Sequence, residues 1–407
     1  MLLSCVSLSS QAATNALTLP DAMALSVGSH PAIASKKNEF LASESALEGS
    51  FYQMYPSISA QSTASPVGGS PARINSVRLE QPIWTGGKIS SQIDAAKSRL
   101  GSARYGLNET EQEILGRTVA AYIEVIRMSL RIEAADENVY EFQRLLELIQ
   151  RRANNEVSPK SEVVVAKARL EQSKSEKLNL EASYLNAKSD LEQLISRKVD
   201  KLAFPIPNLS LTGDLEGMID QVVSSAPVLK RADYEIQVSE ADINIKKSVL
   251  MPQISLRYEK FWSELSNRNS DIAYVAVTYQ PGAGLSSLSA ISEMQSKKLS
   301  SELNADNARK DLVDKVRIDW NKVKSSSSQI EILKELIDST RDVYESYVRQ
   351  YAAGRKSWVE VLNARREYTQ AKNMLVDEEW GGYLAKMKLE VACGCGSVSN
   401  LISNSNQ

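Results

Sequence analysis

The apolar residues of this chain follow two rhythms. Over Glu162 to Ile195 and Trp358 to Leu389 they recur at three- and four-residue spacing, as in Val163, Ala166, Leu170 and in Val361, Ala364, Tyr368, on a background of Lys, Glu, Ser and Gln. That period predicts helices with one packed and one wet face, coiled-coil fashion. Elsewhere the rhythm is two. Ile254, Leu256 and Tyr258 alternate with Ser255, Arg257 and Glu259, and after a polar loop from Asn267 to Ser270, Val275, Val277 and Tyr279 alternate with Tyr274, Ala276 and Thr278. This predicts a β-hairpin with one apolar and one polar face.

A fainter hairpin precedes it. Pro56 to Pro66 is Ser/Ala-rich and extended, Val67-Gly68-Gly69-Ser70-Pro71 is a turn cluster, and Ala72 to Trp84 sets Val77 and Leu79 against Arg78 and Glu80. Each hairpin is followed by a Gly-containing turn, Thr85-Gly86-Gly87 or Pro281-Gly282-Ala283-Gly284. Then come roughly 65 residues without proline, enough for a helix of roughly 100 Å. These helices end at Asn154 to Pro159 and at Ala352 to Lys356, where the chain turns back. In the first half Leu19-Pro20-Asp21 opens a helix expected to run to about Tyr55, where Pro56 stops it.

The chain says this twice. Pro31 to Pro227 and Pro56 to Pro252 span equal intervals, and between those anchors Glu44 faces Glu240 without a gap. Gln81-Pro82 then answers Gln280-Pro281, and Glu162-Val163 answers Glu360-Val361 with a drift of a few residues. An interval this long is a duplicated half-protein, not a solenoid unit. The expected organisation is a signal remnant over 1–13 and a first repeat over 14–205, with a helix, a β-hairpin at 56–84 and a long helical hairpin at 88–196. A second repeat follows over 206–392, with a helix, a β-hairpin at 252–281 and a helical hairpin at 286–391, and then a flexible tail over 393–407.

Composition narrows the classes. The 407 residues are 43% apolar but only 6% aromatic, which suits long helices better than compact cores. The formal net charge of −2 gives no basic field for nucleic acid. No uninterrupted apolar run reaches about 18 residues, so a helical membrane span is excluded, whereas a β-barrel span is not. Met1 to Leu8 followed by Ser9-Ser10-Gln11-Ala12-Ala13 reads as the end of a secretory signal lacking its basic leader, with the mature chain beginning near Thr14. Leu3-Ser4-Cys5 also resembles a lipoprotein site, but Cys5 stands too near Met1, and ordinary cleavage is preferred. Cys393 and Cys395 form a tail pair, free or oxidised, and with no His nearby they lack the ligands of a metal site.

Catalysis finds no foothold. The single His, His30, precedes a proline at a helix start, which leaves no His-dependent triad. Gly282-Ala283-Gly284 lacks the Lys-Ser/Thr of a phosphate loop and reads as a turn. No catalytic, cofactor-binding or metal-ligating residue is expected. A periplasmic coiled-coil scaffold would account for the long helices but leaves two hairpins at matched repeat positions without purpose.

Four strands cannot close a membrane barrel, because about eight is the smallest and an open edge is forbidden in lipid. If they are membrane strands, several chains must pool them, and three copies give about twelve. The order of motifs here resembles the TolC-type outer membrane efflux and secretion channel family. Leu17-Thr18-Leu19 with Asp21-Ala22 stands ahead of His30-Pro31, then Pro56-Ser57-Ile58, Gln81-Pro82-Ile83-Trp84 before Gly86-Gly87, and Gly354 to Asn363-Ala364-Arg365. His30 stands where the family usually has Asn, and Glu156 where it often has a turn Gly.

The resemblance implies a mainly α fold with short membrane β-hairpins: an internally duplicated α-helical barrel plus a β-barrel of about twelve strands shared by a homotrimer. It implies a multi-pass β-barrel in the bacterial outer membrane, helices in the periplasm, no chemistry, and contact with outer membrane lipid. The partners implied are a periplasmic membrane-fusion adaptor and an inner-membrane transporter, of ABC type if the cargo is protein secreted by the type I route. Small-molecule efflux is the alternative cargo. The implied periplasmic gate is Glu162 bonded across to Tyr351 and Lys356, with Glu360 at one ring-acid position and Asn363 at a second where an acid can stand. Asn154, Asn155, Glu156, Val157, Ala353, Gly354 and Arg355 form the turns, read both as helix-hairpin punctuation and as adaptor-docking tips. Tyr258, Phe261, Trp262 and Tyr274 either form an interfacial aromatic girdle or pack within the hairpin.

Overall fold

The computed structural model describes residues 16–67, 70–211, 213–263 and 270–394. The signal remnant with Cys5 and Thr14, the turn pair Gly68-Gly69, the polar loop up to residue 269, and the tail from Cys395 lie outside the described residues. The elements repeat as the proline anchors require: α1 (Leu19–Ser29), α2 (Pro31–Tyr52), β1 (Ser57–Val67), β2 (Ser70–Trp84), α3 (Lys88–Asn154) and α4 (Lys160–Ile195). They are answered by α5 (Leu215–Ser225), α6 (Pro227–Ser248), β3 (Gln253–Ser263), β4 (Ser270–Thr278), a 3-10 turn at Ala283–Leu285, α7 (Ser286–Ala352) and α8 (Trp358–Cys393).

The helix expected to run unbroken from Leu19 to Tyr55 is two helices. His30 sits between them in extended backbone at φ −74, ψ 126. Pro31 is the cause, since a residue before proline is pushed out of the α region, while proline itself suits the first position of the next helix. The same break recurs at Ala226 before Pro227.

Two compact units divide the chain. The first takes residues 1–31, 111–225 and 313–407. Leu19, Ala22 and Met23 of α1 pack there on Leu115, Val119, Tyr122 and Ile126 of α3, with Leu191 and Ile195 of α4 and Trp380 of α8. A short parallel bridge, Leu17 to Leu202, closes over this cluster. The buried Tyr122 hydroxyl donates to the carbonyls of Leu17 at 2.8 Å and Ala203 at 2.5 Å. Burial pushes that phenol up to about 12, so it stays a donor. Cys393, at the end of α8, is disulfide-bonded.

The second unit takes residues 32–110 and 226–312. Its two hairpins join into one antiparallel sheet in the order β1-β2-β3-β4. Leu79 pairs with Ile58 and Tyr258, and Leu256 with Val275, so the alternating apolar side chains of all four strands share one face. That face is turned outward: Ile58, Leu79, Leu256, Val275 and Val277 are exposed, whereas Glu259 on the opposite face is only 5% exposed. There Arg78 pairs with Glu259, Arg257 with Glu80 at 3.0 Å, and Tyr274 donates to Glu259 at 3.0 Å. The candidate girdle is split accordingly. Tyr258 and Trp262 lie on the apolar face, while the pairings put Phe261 and Tyr274 with Arg78 and Glu259 on the polar one, because strand side chains alternate.

Beneath the strands, α3 and α6 pack so closely at Gly101 that a Cβ there would meet the Tyr234 ring at 2.5 Å. Tyr105 stacks on that ring at 5.7 Å. Arg231 ties Glu109 to Glu235, both at 2.5 Å.

Candidate functional site

The ends of the two long helical hairpins meet within the first unit. Each hairpin turns by the same device. The amide of Val157 bonds the Arg152 carbonyl at 2.9 Å and that of Glu156 the Ala153 carbonyl at 3.1 Å. In the second hairpin Arg355 bonds Gln350 at 2.9 Å and Gly354 bonds Tyr351 at 3.0 Å. These are paired helix-ending bonds of the Schellman kind, which need one left-handed residue. Gly354 fills that position at φ 74 and Glu156 at φ 58. The turn residues Asn154, Asn155, Glu156, Val157, Ala353, Gly354 and Arg355 are all exposed.

Glu162 enters in the first turn of α4 after Pro159. Its carboxylate accepts a 2.9 Å hydrogen bond from the Tyr351 hydroxyl, which also lies 3.4 Å from Ser158 Oγ. Arg152 completes the junction: its Nε donates to Ser158 Oγ at 3.2 Å and its Nη1 to the Ala352 carbonyl at 2.8 Å, while its guanidinium lies 4.8 Å from the Tyr351 ring centre. Trp358, 1% exposed, holds the other side of that ring at 5.7 Å. Burial, and after it the Glu162 carboxylate acting against the Ser158 bond, raises the Tyr351 phenol, which therefore stays protonated and donating.

Lys356 does not reach Glu162. It donates to Glu360 one turn on at 2.6 Å and sits 4.5 Å from the Tyr347 ring centre. Glu360 is engaged a second time, in a capping box: the Ser357 side chain accepts from the Glu360 amide while the Glu360 carboxylate accepts from the Ser357 amide at 2.9 Å. Lys356 first, and then Ser357, hold that carboxyl down at about 2. The short reach explains the exchange of partners, because Lys356 lies within one helical turn of Glu360. Asn363 is exposed and borders a groove of about 390 Å³ between α3, α4 and α8.

Sequence reasoning missed the layer above. Arg365, 2% exposed, lies beside the Tyr344 and Tyr368 rings, 5.3 Å from each centre, the two rings being parallel with centres 6.5 Å apart. Its Nε donates to Asn138 at 3.0 Å and its Nη1 stands 3.6 Å from Glu137, which also pairs with Lys372. Tyr344 donates to Glu141 at 3.0 Å. Burial and the Glu141 charge push its phenol well above the usual range. Part of the signal was available: an arginine at an inward helical position, three residues before Tyr368 on the same face, asks for a buried charge partner, though not for which one. Phe142, Leu145 and Ile149 of α3, Leu170 of α4 and Val361 of α8 form the apolar bed beneath.

The sequence profile described as outer membrane efflux protein matches residues 55–197 and 218–381. The alkaline protease secretion protein AprF of Pseudomonas aeruginosa is 20% identical, aligned over 79% of this chain and 69% of its own. The outer membrane protein TolC of Vibrio cholerae is 22% identical over 74% of this chain and 72% of its own. The cobalt-zinc-cadmium resistance protein CzcC of Cupriavidus metallidurans is 21% identical over the same shares. Among solved structures, the outer membrane protein VceC of Vibrio cholerae superposes with a TM-score of 0.80 at 14% identity, covering 93% of this chain and 96% of that one. The outer-membrane channel OprN gives 0.81 at 14%, covering 93% and 90%.

Proposed function

Since this chain belongs to the outer membrane efflux protein family, we propose that it is the outer membrane exit duct of a tripartite export machine. It assembles as a homotrimer, takes cargo from a periplasmic adaptor and an energised inner-membrane transporter, and catalyses nothing itself. One observation carries the reading: the four-stranded sheet presents an exposed apolar face, pairs its charges with one another on the opposite face, and leaves β1 and β4 as open edges. In water an outward apolar sheet face is a liability; in lipid it is required. Open edges cannot persist in lipid, so they must pair with other copies.

The helices favour the same assembly. On α4, Val164, Leu178 and Leu185 are exposed at heptad intervals, and on α7 Ile318 and Ile332 likewise, the stripe a helix keeps for a neighbouring helix. The hairpin-end junction is then a gate. Its cross-hairpin bonds favour a closed duct by a modest energy that a docking partner can outweigh.

For cargo, we favour protein secreted by the type I route, with an ABC-type transporter, on the likeness to a protease secretion protein. The likeness to a metal resistance protein keeps small-solute efflux as a second reading. Envelope fractionation with light scattering tests the assembly: a trimer confined to the outer membrane extract is the expected result. A soluble monomer or dimer would overturn it and leave the scaffold.

A further inference from the structure

The outward face of the sheet is not uniform along its length. Leu79, Leu256 and Val277 hold its helix-proximal half, and Trp84, paired with Ile254, ends it there without a charge. The register puts three charged residues on the half nearer the hairpin tips: Arg73 opposite Ala64, and Lys260 between Val77 and Asp271. They are the charged residues of that face among the described residues, and all three are exposed. Asp271 lies 3.5 Å from the Tyr258 hydroxyl, whereas Arg73 and Lys260 carry no side-chain hydrogen bond or ion pair among the described residues. Trp262 stands exposed between those two levels on the same face, opposite Asn75.

A cation facing lipid is costly at mid-membrane and nearly free at the headgroups, so Arg73 and Lys260 mark the tip half as headgroup level. Two bases against one acid leave a positive excess there, although the chain as a whole has a net charge of −2. Arg73 lies four residues beyond Val77 on β2, about 13 Å along the strand, and Lys260 is the neighbour of Val77 on β3. Both side chains are long enough to turn their charged ends toward the headgroup layer. Because β2 and β3 are the inner strands of the sheet, pairing of β1 and β4 with other copies leaves these two cations facing lipid.

We propose that the tip half of this face seats the diphosphorylated disaccharide headgroup of a lipopolysaccharide molecule in the outer leaflet. Arg73 and Lys260 take its two phosphates, and Trp262 lies between them against the sugar. The proposal rests on the export reading, which puts the hairpin tips outside and the helices in the periplasm. A guanidinium grips phosphate through paired hydrogen bonds and an ammonium meets it as a point charge. Two cations on adjacent strands, this far apart, suit a headgroup with a phosphate at each end; the single phosphate of a glycerophospholipid satisfies one of them. The acyl chains then run down the uncharged half over Leu79 and Leu256, where burial of apolar surface adds to the charge contacts.

The test titrates the purified trimer, held in dodecyl maltoside, with diphosphoryl lipid A and with lipid A stripped of its phosphates, and counts bound lipid by native mass spectrometry. One diphosphoryl lipid A per copy is expected, bound about tenfold more tightly than the stripped form, with the preference shrinking as NaCl is raised. The double variant Arg73→Gln with Lys260→Gln should lose about tenfold. Asp271→Asn removes the competing carboxylate and should tighten binding, whereas Lys310→Gln, at an exposed position of α7, should bind as wild type. Equal affinity for the two forms of lipid A, or a double variant that binds unchanged, would overturn the proposal. So would phosphatidylglycerol binding as tightly as diphosphoryl lipid A, which would make any anionic lipid the occupant, and so would displacement by inorganic phosphate, which would make it a free anion. Single-channel conductance of the same preparations separates the two readings: a conducting trimer indifferent to the lipid phosphates refutes only the lipopolysaccharide seat, and absence of any trimer refutes the export duct and this inference together.

Discussion

The Tyr351 hydroxyl, in the last turn of α7, donates a 2.9 Å hydrogen bond to the Glu162 carboxylate in the first turn of α4. It joins the two helical hairpins through a single proton. Tyr351→Phe removes the bond and keeps the ring between Arg152 and Trp358. A loss of about 1 kcal/mol is expected, shifting a closed-open equilibrium about fivefold toward open. Planar-bilayer recordings should show longer or larger openings. Lys356→Ala should change them less, because Lys356 bonds within its own helix; an equal effect would refute this assignment.

Arg365 should matter more for stability than any residue at the turns. Arg365→Leu takes one donor each from Asn138 and Glu137 and removes the guanidinium packed beside two rings, a cost of about 2–4 kcal/mol. Lys restores charge without the flat stacking surface, so Arg365→Lys should fall between wild type and Leu. Thermal unfolding of the trimer ranks the three.

Glu156 holds the left-handed position that Gly354 fills in the second hairpin. Glu156→Gly should relieve about 1 kcal/mol of backbone strain and slow hydrogen exchange at the Val157 amide. Faster exchange there would show that the side chain has a role the geometry does not reveal.

The Glu360 carboxyl is held at about 2 by Lys356 and by the Ser357 backbone and side chain. Its folded-state value lies below its ordinary one of 4.5. Its contribution is therefore fully present above the ordinary carboxylate value of 4.5, declines as pH falls below that value and is gone once pH has fallen through about 2. Exchange at the start of α8, corrected for intrinsic pH effects, should be unchanged between pH 7 and 6 and quicken progressively below pH 4.5. Glu360→Gln should exchange faster than wild type at pH 7 and lose this acid-side dependence, because the amide does not titrate.

The outward face of the sheet can be tested with one charge. Val277→Arg, at a position 66% exposed, should cost about 2–4 kcal/mol if that face meets lipid, and should lower recovery of trimer from the outer membrane. Thr278→Arg, on the opposite face, should be milder.

Much of this was legible in the sequence because prolines and periodicity act locally. Pro56 and Pro252 announced the passage from helix to strand, and the alternation from Ile254 to Glu259 gave the strand's two faces before any pairing was known. Glu162 and Tyr351 were reachable only through family likeness, since no local rule joins residues on separate hairpins. Two features resisted. The break at His30 was hidden by a helical pattern that continues on both sides of Pro31. Arg365 was quoted as part of a motif, yet its acceptors lie on α3 and one of its two rings on α7, which spacing within α8 cannot locate. Lys356 shows the opposite failure: likeness sent it across to Glu162, and the nearer Glu360 captured it.

The open edges of β1 and β4 also set the order of events in the life of the molecule. A lone copy carries two rows of amide and carbonyl groups with nothing to bind, so its strands cannot reach their final state alone. Completion of the sheet is then a collision process whose yield rises steeply with local concentration, and counting to the correct copy number becomes the last step of folding. Until that count is reached, the strands are the part of the protein most exposed to proteases and to mispairing.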